Sequence, residues 1–419
     1  MTVALSKQDG RDRAAPVADT VGDGHPTGDN RRRSTSGSTP SWFRSRWPRL
    51  ALIIGCVLAV LSGLVIVGIV AFDLALSPVR KLDIPTDGND SVVQGKPLEG
   101  DLNILLVGLD NGQAVGGERR SDPAHSDSMM ILHVSAAHDR GYLISLPRDL
   151  WVPIPGHGSG KLNAAFTFGS AGAGGSAGGL DLLMRTVNGQ WGVQFNAAAT
   201  VNFNGFTQAL QLLGGVTMDI DETVTSVHYG TTKRDGTGSQ CVPARFDANA
   251  VAHPVPGCYG KVYLPQKARR LTPVEALDYT RQREWMSLND GDYGRQRHQQ
   301  QFIKALVQEA KAQGLTTNPA KALSMVRSVG SALEVWTNGA SLTDWFLTLK
   351  GLSGDNIQSI KTNNGAFHSE TIDGQSTETL DDTSKAMLRA LGTGHLEDFL
   401  AQHPQVLNTP QPVTATPSP

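Results

Sequence analysis

A run of 23 residues without a charged side chain, residues 50–72, limits what this chain can fold into more than any other feature. As an α-helix the run would span about 34 Å, against roughly 30 Å for the hydrocarbon core of a membrane. It follows 49 other residues and is longer than the apolar part of a cleavable signal peptide. We therefore expect residues 50–72 to form a retained transmembrane helix.

The segment before this run predicts its orientation. Six arginines and no acidic residue lie between positions 31 and 49, which the positive-inside rule places in the cytoplasm. Residues 1–49 are rich in Gly, Ser, Thr, Pro and charge, so we expect a disordered cytoplasmic tail. The rest of the chain is then expected outside a single-pass cell-membrane anchor, with a stalk over 73–100 and a disordered tail over 404–419.

Composition narrows the class of the outer part. The formal net charge of −2 excludes the broad positive field that a sequence-independent nucleic-acid binder needs. Three cysteines occur, and Cys56 lies in the apolar run. The other two, Cys241 and Cys258, suit one disulfide in an oxidising compartment, with two free thiols as the alternative. No zinc-like spacing of Cys and His is present in the sequence.

Short apolar runs of the kind found in buried strands alternate with helical patterns after residue 101. The apolar runs cover 102–109, 128–134, 141–146, 198–203 and 216–220. The alternation predicts an α/β (α+β) domain over 101–315, with a central mixed β-sheet flanked by helices. Residues 223–263, which hold Cys241 and Cys258, are expected to be a stapled surface insertion. Residues 316–403 are expected to form a helical and stranded extension packed on the domain.

Residues 276–301 concentrate four arginines around two aspartates, a clustering that favours an anionic partner. The sequence Thr-Pro-Val-Glu at 272–275 predicts a capped helix start, and Arg281 and Arg283 converge if that helix ends before them. Arg295 and Gln299 are four residues apart, hence on one face of the next predicted helix, near its anion-attracting start. The alternative is a solvated face of ion pairs.

A second set of polar residues lies at the ends of predicted strands, where ligand sites of α/β sheets gather. Asp110 follows the first apolar run, Asp127 precedes the second, and Arg148 follows the third. Two carboxylates together suit Mg²⁺, which binds one or two carboxylates along with phosphate oxygens of a substrate. The alternative is that both aspartates cap turns.

Eight short blocks occur in the order typical of the LytR-CpsA-Psr family, and the chain resembles that family over 102–307. The blocks are L-L-V-G-L-D, H-S-D-S-M-M, S-L-P-R-D, K-L-N-A-A, F-N-G-F, L-G-G-V, A-L-D-Y-T-R-Q-R and D-Y-G-R-Q-R-H-Q-Q. The resemblance implies an extracytoplasmic phosphotransferase that takes a glycopolymer from a polyprenyl-pyrophosphate carrier. The product would be a phosphodiester on a hydroxyl of peptidoglycan or another wall glycan, with polyprenyl phosphate released.

The resemblance also implies how the arginines act. Arg148, Arg281, Arg283 and Arg295 would bind the diphosphate, helped by Gln299. Fixed guanidinium groups are a usual means of stabilising the charge that develops in phosphoryl transfer.

Other residues take their roles from the same resemblance. Asp110 and Asp127 would hold Mg²⁺ (or Mn²⁺). Asp292 would either orient an arginine or help to deprotonate the acceptor hydroxyl. Lys161 and Asn163 would contact phosphate or brace the sheet.

The lipid part of the donor needs an apolar channel. Four residues would line it or belong to the core, namely Phe166, Phe203, Phe206 and Leu210. The chain departs from the family where an arginine often follows the first aspartate, and Arg119 or Arg120 would take that place.

Three other functions compete with transfer. A non-catalytic protein that captures polyprenyl-linked wall precursors would use the same arginines, and a hydrolase of the diphosphate would differ only in using water as acceptor. A transcriptional attenuator is disfavoured because the expected outer domain carries no DNA-binding motif.

Overall fold

The computed structural model describes residues 80–84, 98–110, 125–247, 251–315 and 333–408, with the isolated positions 317–318, 321, 325 and 330. The expected cytoplasmic tail, the expected transmembrane helix over 50–72, most of the stalk and Arg119 lie outside these residues. Within them, no helix has both the length and the apolar character that a membrane span requires.

The described strands are, in chain order, β1 (Arg80–Lys81), β2 (Leu102–Asp110), β3 (His125–Val134), β4 (Gly141–Leu146), β5 (Trp151–Ile154), β6 (Gly158–Lys161), β7 (Ala197–Asn202), β8 (Val216–Ile220), β9 (Val224–Thr231), β10 (Gln240–Cys241), β11 (Ala244–Phe246), β12 (Ala252–Pro254), β13 (Tyr259–Tyr263), β14 (Gln266–Leu271), β15 (Leu333–Trp336), β16 (Ile357–Ile360), β17 (Ser369–Ile372) and β18 (Gln375–Glu378). The described α-helices are α1 (Leu162–Ser170), α2 (Gly175–Trp191), α3 (Phe203–Leu213), α4 (Pro273–Tyr279), α5 (Gly291–Ala312), α6 (Leu342–Leu349), α7 (Asp382–Gly392) and α8 (Leu396–Gln402).

A seven-stranded sheet in the order β1-β15-β7-β2-β3-β4-β16 forms the centre of the described structure. It is mixed, because β2 pairs with β3 antiparallel but with β7 parallel, and β16 pairs with β4 parallel. Parallel neighbours need crossover connections, and helices supply them on both sides of the sheet. The expected α/β domain with a central mixed sheet flanked by helices is confirmed.

Side chains of each central strand alternate between two cores. In β2, Leu105 and Val107 belong to the core that α1, α2, α7 and α8 cover. Leu102 and Ile104 point to the opposite core, which includes side chains of α5 and α6. Both faces of the sheet are thus buried, which explains the nearly continuous apolar runs of its strands.

A smaller core joins the antiparallel pair β8 and β14 to α4 and α5, with Tyr263 and Tyr279 fully buried. α4 begins with the capping box expected from the sequence, in which Thr272 and Glu275 bond each other's backbone N–H groups. The helix ends at Tyr279, so Arg281 and Arg283 follow it in non-helical chain.

The central sheet does not end at residue 315. β15 pairs with β7 and β1, and β16 pairs with β4, so strands from the expected extension and from the expected stalk belong to the same sheet. Gln300 of α5 reinforces this edge by donating from Nε2 to the backbone oxygens of Leu143 and Ile360, at 3.2 and 2.8 Å. Residues 316–403 therefore supply part of the domain, in place of an extension packed on it.

Two other boundaries differ from expectation. Residues 404–408, placed in the disordered tail, include a 3-10 turn, and Asn408 N–H donates to Ser359 O at 2.7 Å. The flanks of the expected surface insertion, β9 and β13, contribute buried side chains such as Val227 and Tyr263. The surface part is therefore narrower than 223–263, and a disulfide joins Cys241 to Cys258 within it.

Candidate functional site

A cavity of about 780 Å³ lies between the sheet and helices α3 and α5. Strands β2, β3 and β7 form its floor, and aliphatic and aromatic side chains supply most of its walls. Among the residues that line it are Leu106, Met130, Val201, Phe206, Leu210, Phe302 and Ile303. A cavity of this size and composition suits an extended apolar ligand.

Four arginines from separate parts of the chain line the same cavity, and we call Arg148, Arg281, Arg283 and Arg295 the arginine cluster. Arg148 follows β4, Arg281 and Arg283 follow α4, and Arg295 lies in the second turn of α5. The convergence expected from the sequence is present, because α4 ends before its arginines and α5 carries the last of the four to the end of β3.

Asp127 joins two members of the arginine cluster. A bulge in the β2–β3 pairing sets Gly108 against Ser128 and Leu109 against Ser126, so Asp127 is the extra residue. Arg148 Nη1 donates to its Oδ1 at 2.7 Å, and Arg295 Nη2 donates to its backbone oxygen at 2.9 Å.

Asp292 is bound to the cluster from the opposite side. Its Oδ1 lies 2.7 Å from Arg295 Nη2, and Gln296 Nε2 donates to its Oδ2 at 3.0 Å. Burial would raise the pKa of this carboxyl, but Arg295 and Arg148 hold the pKa below its ordinary value. A carboxylate that is ionised and bonded in this way is suited to orienting Arg295 and is a weak proton acceptor.

α5 can approach the cluster this closely because of its first residue. Gly291 adopts φ +51°, and a Cβ there would lie 2.9 Å from the ring of Phe367. Glycine accommodates both constraints. The helix begins at Gly291, four residues before Arg295, which places Asp292 in its first turn.

Gln299 lines the cavity one turn after Arg295. It accepts from Ser128 Oγ at 2.8 Å and donates to Thr280 O at 3.2 Å, so it links β3 to the end of α4. This places the residue beside the arginine cluster, as its spacing from Arg295 predicts.

Lys161 and Asn163 are not among the residues that line the cavity. They contact residues next to the arginine cluster. Lys161 Nζ lies 2.9 Å from Asp149, which also pairs with Arg148 at 3.4 Å. Asn163 N–H donates to Arg148 O at 3.1 Å, and its backbone oxygen accepts from Ser126 Oγ at 3.4 Å. Of the two expectations for this pair, these contacts favour bracing.

A divalent cation would need oxygen ligands at the strand ends. Asp127 offers a partly exposed carboxylate there, bonded to Arg148 through Oδ1. The backbone of Asp110 pairs with that of His125 on the neighbouring strand, close to Asp127 in the register. The side chain of Asp110 lies outside the described residues, so of the two expected ligands the structure places Asp127.

The four apolar residues expected to line a lipid channel do not all lie on the same face of the sheet. Phe203, Phe206 and Leu210, on α3, line the cavity, and the Phe206 ring stacks on Phe302 with centroids 4.5 Å apart. The Arg281 guanidinium lies 4.5 Å from the centroid of Phe203. Phe166 is buried in the core of the opposite face, so the core alternative holds for it.

Among the cavity residues that were not singled out from the sequence are Phe246 and His228. Phe246 of β11 reaches the cavity from the segment that the disulfide closes. His228 of β9 lines it near Arg281 and Arg283, and burial together with these two charges lowers the pKa of the imidazole to about 4. Neither residue belongs to one of the eight sequence blocks that carry the family resemblance. The sequence of β9 also gives no sign of which of its side chains face the cavity.

A second group of charges lies on the other side of α5, and we call Asp221, Glu222, Asp290, Arg297 and His298 the buried ion cluster. Arg297 donates to Asp221 at 2.8 Å, to Glu222 at 2.5 Å and to Asp290. His298 Nε2 lies 3.3 Å from both Asp221 and Glu222. Glu222 also accepts from Leu288 N–H at 2.9 Å, so the cluster holds the segment before α5 in place.

The buried ion cluster has the residue types of a metal site, yet the carboxylates of Asp221 and Glu222 already accept hydrogen bonds from protein groups. Asp221 accepts from Arg297 and Gln301, and Glu222 accepts from Arg297 and the backbone of Leu288. Burial would lower the pKa of His298, but the two carboxylates raise it above its ordinary value. We therefore interpret the cluster as a structural ion network.

Comparison with known proteins decides the family. The model of the LytR_cpsA_psr family matches residues 80–391, most of the chain. The chain belongs to the LytR-CpsA-Psr family. A curated relative, the polyisoprenyl-teichoic acid–peptidoglycan teichoic acid transferase TagU of Oceanobacillus iheyensis, is 27% identical, and the match covers 85% of this chain and 96% of the relative. That relative is by its name an enzyme that attaches wall polymer.

Two further proteins are similar to this chain. Biofilm regulatory protein A of Streptococcus mutans is 27% identical over 81% of this chain and 74% of its own length. A solved structure from Streptococcus agalactiae, 20% identical, superposes with a TM-score of 0.50 over 71% of this chain and 88% of that one. The structural likeness supports the fold alone. The family expected from the eight sequence blocks is confirmed.

Proposed function

We propose that this protein transfers a glycopolymer from a polyprenyl-pyrophosphate carrier to a hydroxyl of peptidoglycan or another wall glycan. The transfer forms a phosphodiester and releases polyprenyl phosphate. The observation that carries the proposal is the joining of an apolar cavity of about 780 Å³ to the arginine cluster at one end. This arrangement matches a molecule with a long hydrocarbon chain and a diphosphate head.

Charge balance supports an anionic ligand at this end. The described charged side chains that line the cavity are the four guanidinium groups of the arginine cluster and two carboxylates, those of Asp127 and Glu284. A diphosphate would supply the missing negative charge and accept several hydrogen bonds from arginine. Family membership and the name of the Oceanobacillus relative agree with such a donor.

Each part of the site takes a distinct role in the proposed transfer. Arg281 and Arg283 bind the diphosphate oxygens, and Arg148 and Arg295 stabilise the charge that develops on the transferred phosphoryl group. Asp292 orients Arg295, and Gln299 holds β3 and the end of α4 at the distance that the cluster requires. Arg119 is proposed as a further contact to the head group.

The proposal includes Mg²⁺ (or Mn²⁺) bound by Asp127 and Asp110. The ion would supply charge neutralisation at the diphosphate. It also includes the single-pass anchor over 50–72, which would keep the cavity outside the cell and beside the membrane that holds the lipid donor.

The test uses the full chain in lipid nanodiscs with Mg²⁺, a polyprenyl-pyrophosphate-linked disaccharide and a purified peptidoglycan fragment. Mass spectrometry follows polyprenyl phosphate and the new phosphodiester. We expect both products from the wild type and loss of both in Arg281→Gln. Arg140→Gln is the matched control, because Arg140 is exposed and pairs with Glu397 away from the cavity.

The products separate the competing functions. Polyprenyl phosphate with free sugar phosphate and no phosphodiester would identify a hydrolase. Donor binding without either product would identify a carrier of lipid-linked precursors, and the transfer proposal would then be wrong.

A further inference from the structure

The proposed transfer removes a proton from the attacking hydroxyl, so a group at the site must take up that proton. Among the described residues, three carboxylates beside the polar end of the cavity are each bonded to an arginine at 2.7 Å. The pairs are Asp127 with Arg148, Asp292 with Arg295, and Glu284 with Arg283. In each pair one carboxylate oxygen is already bound to a guanidinium group, so these carboxylates serve to hold the arginines in place.

His228 differs from these three groups. It lies on β9, lines the cavity next to Arg281 and Arg283, and its backbone N–H is fixed by Ser226 Oγ at 3.1 Å. In the described part of the chain, no group is found within hydrogen-bonding distance and angle of its ring. An uncharged imidazole with an open nitrogen is the side chain best suited to accept a proton near neutral pH.

We infer that His228 is the catalytic residue that accepts the proton of the acceptor hydroxyl, an inference that rests on the proposed transfer function. The hydroxyl oxygen forms a bond to the phosphorus that carries the glycopolymer. The bond from that phosphorus to the bridging oxygen breaks, and its electron pair leaves on polyprenyl phosphate. The hydroxyl proton moves to the His228 ring and from there to the released phosphate or to solvent, so charge is conserved.

Donor binding would make His228 a better base. Without a donor, burial and the charges of Arg281 and Arg283 keep the pKa of the imidazole at about 4, too low for an effective base at neutral pH. A bound diphosphate cancels those charges and moves the pKa back toward its ordinary value. The charged side chains that line the cavity with His228 are Asp127, Arg148, Arg281, Arg283, Glu284 and Arg295.

The first experiment measures transfer by full-length His228→Ala in nanodiscs, with the donor and acceptor named above. We expect a loss of about 100-fold or more in the transfer rate, with donor affinity changed less than about threefold. Added imidazole should restore part of the rate. His157→Ala is the matched control, since His157 is exposed and stacks on Phe168 outside the cavity.

The outcomes keep the two proposals apart. A wild type that forms no phosphodiester contradicts the transfer function itself. A wild type that transfers, with His228→Ala equally active, overturns the role of His228 alone. Loss of transfer in Glu284→Gln, with imidazole failing to rescue His228→Ala, would assign the base to Glu284.

The second experiment does not depend on the stability of the alanine variant. NMR of the histidine-labelled full chain follows each imidazole as a function of pH, and His228→Gln assigns the resonance. Geranyl pyrophosphate serves as a soluble prenyl diphosphate. We expect the pKa of His228 to rise by roughly one to two pH units with this probe and not with geraniol. An unchanged pKa would overturn the inference.

Discussion

The buried ion cluster and the arginine cluster occupy opposite sides of α5, and they differ in the sign of the charge left over. Arg295 and Arg297 are two residues apart, hence about 200° apart around the helix. In the buried ion cluster three carboxylates face Arg297 and His298. In the arginine cluster four guanidinium groups line a cavity together with two described carboxylates, those of Asp127 and Glu284.

The pKa values of two histidines reflect this difference in charge. His298 lies among carboxylates that raise its pKa, whereas His228 lies beside arginines that, with burial, lower its pKa to about 4. The buried ion cluster can offset part of its excess negative charge with a proton on His298. The arginine cluster opens into a cavity, so a ligand can supply the charge it lacks. Both clusters are dense in charged residues, but only the arginine cluster has unbalanced charge that faces a cavity. That second property therefore identifies the binding site.

The largest expected effect concerns stability. Arg297→Met leaves three carboxylates without their main cationic partner, of which Asp221 and Glu222 are only 3% and 1% exposed. We expect the free energy of unfolding to fall by about 3–5 kcal/mol, measured by denaturant unfolding of the purified protein. Stability close to that of the wild type would contradict the structural role of this cluster.

The next effect concerns activity. Arg283→Gln removes a partly exposed guanidinium that pairs with Glu284. We expect the rate of polyprenyl phosphate release to fall about 100- to 1000-fold. The free energy of unfolding should change by less than about 1 kcal/mol, because one partner is partly exposed. If this variant unfolds as readily as Arg297→Met, the two clusters do not differ as described.

A smaller effect is expected in the apolar part of the cavity. Phe206→Ala removes the ring that stacks on Phe302. Affinity for octaprenyl pyrophosphate should fall about tenfold, whereas affinity for inorganic pyrophosphate should stay the same, both measured by calorimetry. Phe168→Ala, at an exposed ring, serves as control. Equal losses for both ligands would show that Phe206 acts on the head group.

The smallest expected effect is on the pH dependence of the free energy of unfolding. The folded pKa of His298 is raised above its unfolded value, so its contribution is complete below about pH 6.5 and is lost as pH rises through the folded pKa. The free energy of unfolding should therefore fall with rising pH over that window in the wild type, and less steeply in His298→Gln. Unfolding at matched temperature in a pH series measures both slopes, and identical slopes would contradict a raised pKa.

Much of the central sheet was predictable, because strands buried on both faces show as continuous apolar runs. β4 and β8 begin and end where their runs do, and the capping box predicts the start of α4. Arg281, Arg283 and Arg295 were found because they cluster in sequence, and Arg148 because it follows a predicted strand. Their convergence also required the helix before Arg281 to end early, at Tyr279.

The remainder depends on contacts between distant residues. Phe166 and Phe206 are both large and apolar, and only the topology assigns the first to the core and the second to the cavity. His228 carries no local mark, because its chemistry comes from arginines more than fifty positions later. β15 and β16 are four residues each, too short for periodicity to assign them to the main sheet.

The pairing of β16 with β4 has a consequence for how the molecule is made. These neighbours are separated by about two hundred positions in the chain, so a nascent polypeptide that has emerged only as far as α5 exposes an unpaired strand edge. Gln300 at that moment lacks the Ile360 oxygen to which it donates in the finished molecule. Biosynthesis must therefore deliver nearly all of this sequence before the central sheet is complete, and we expect truncation ahead of residue 357 to yield aggregation-prone material.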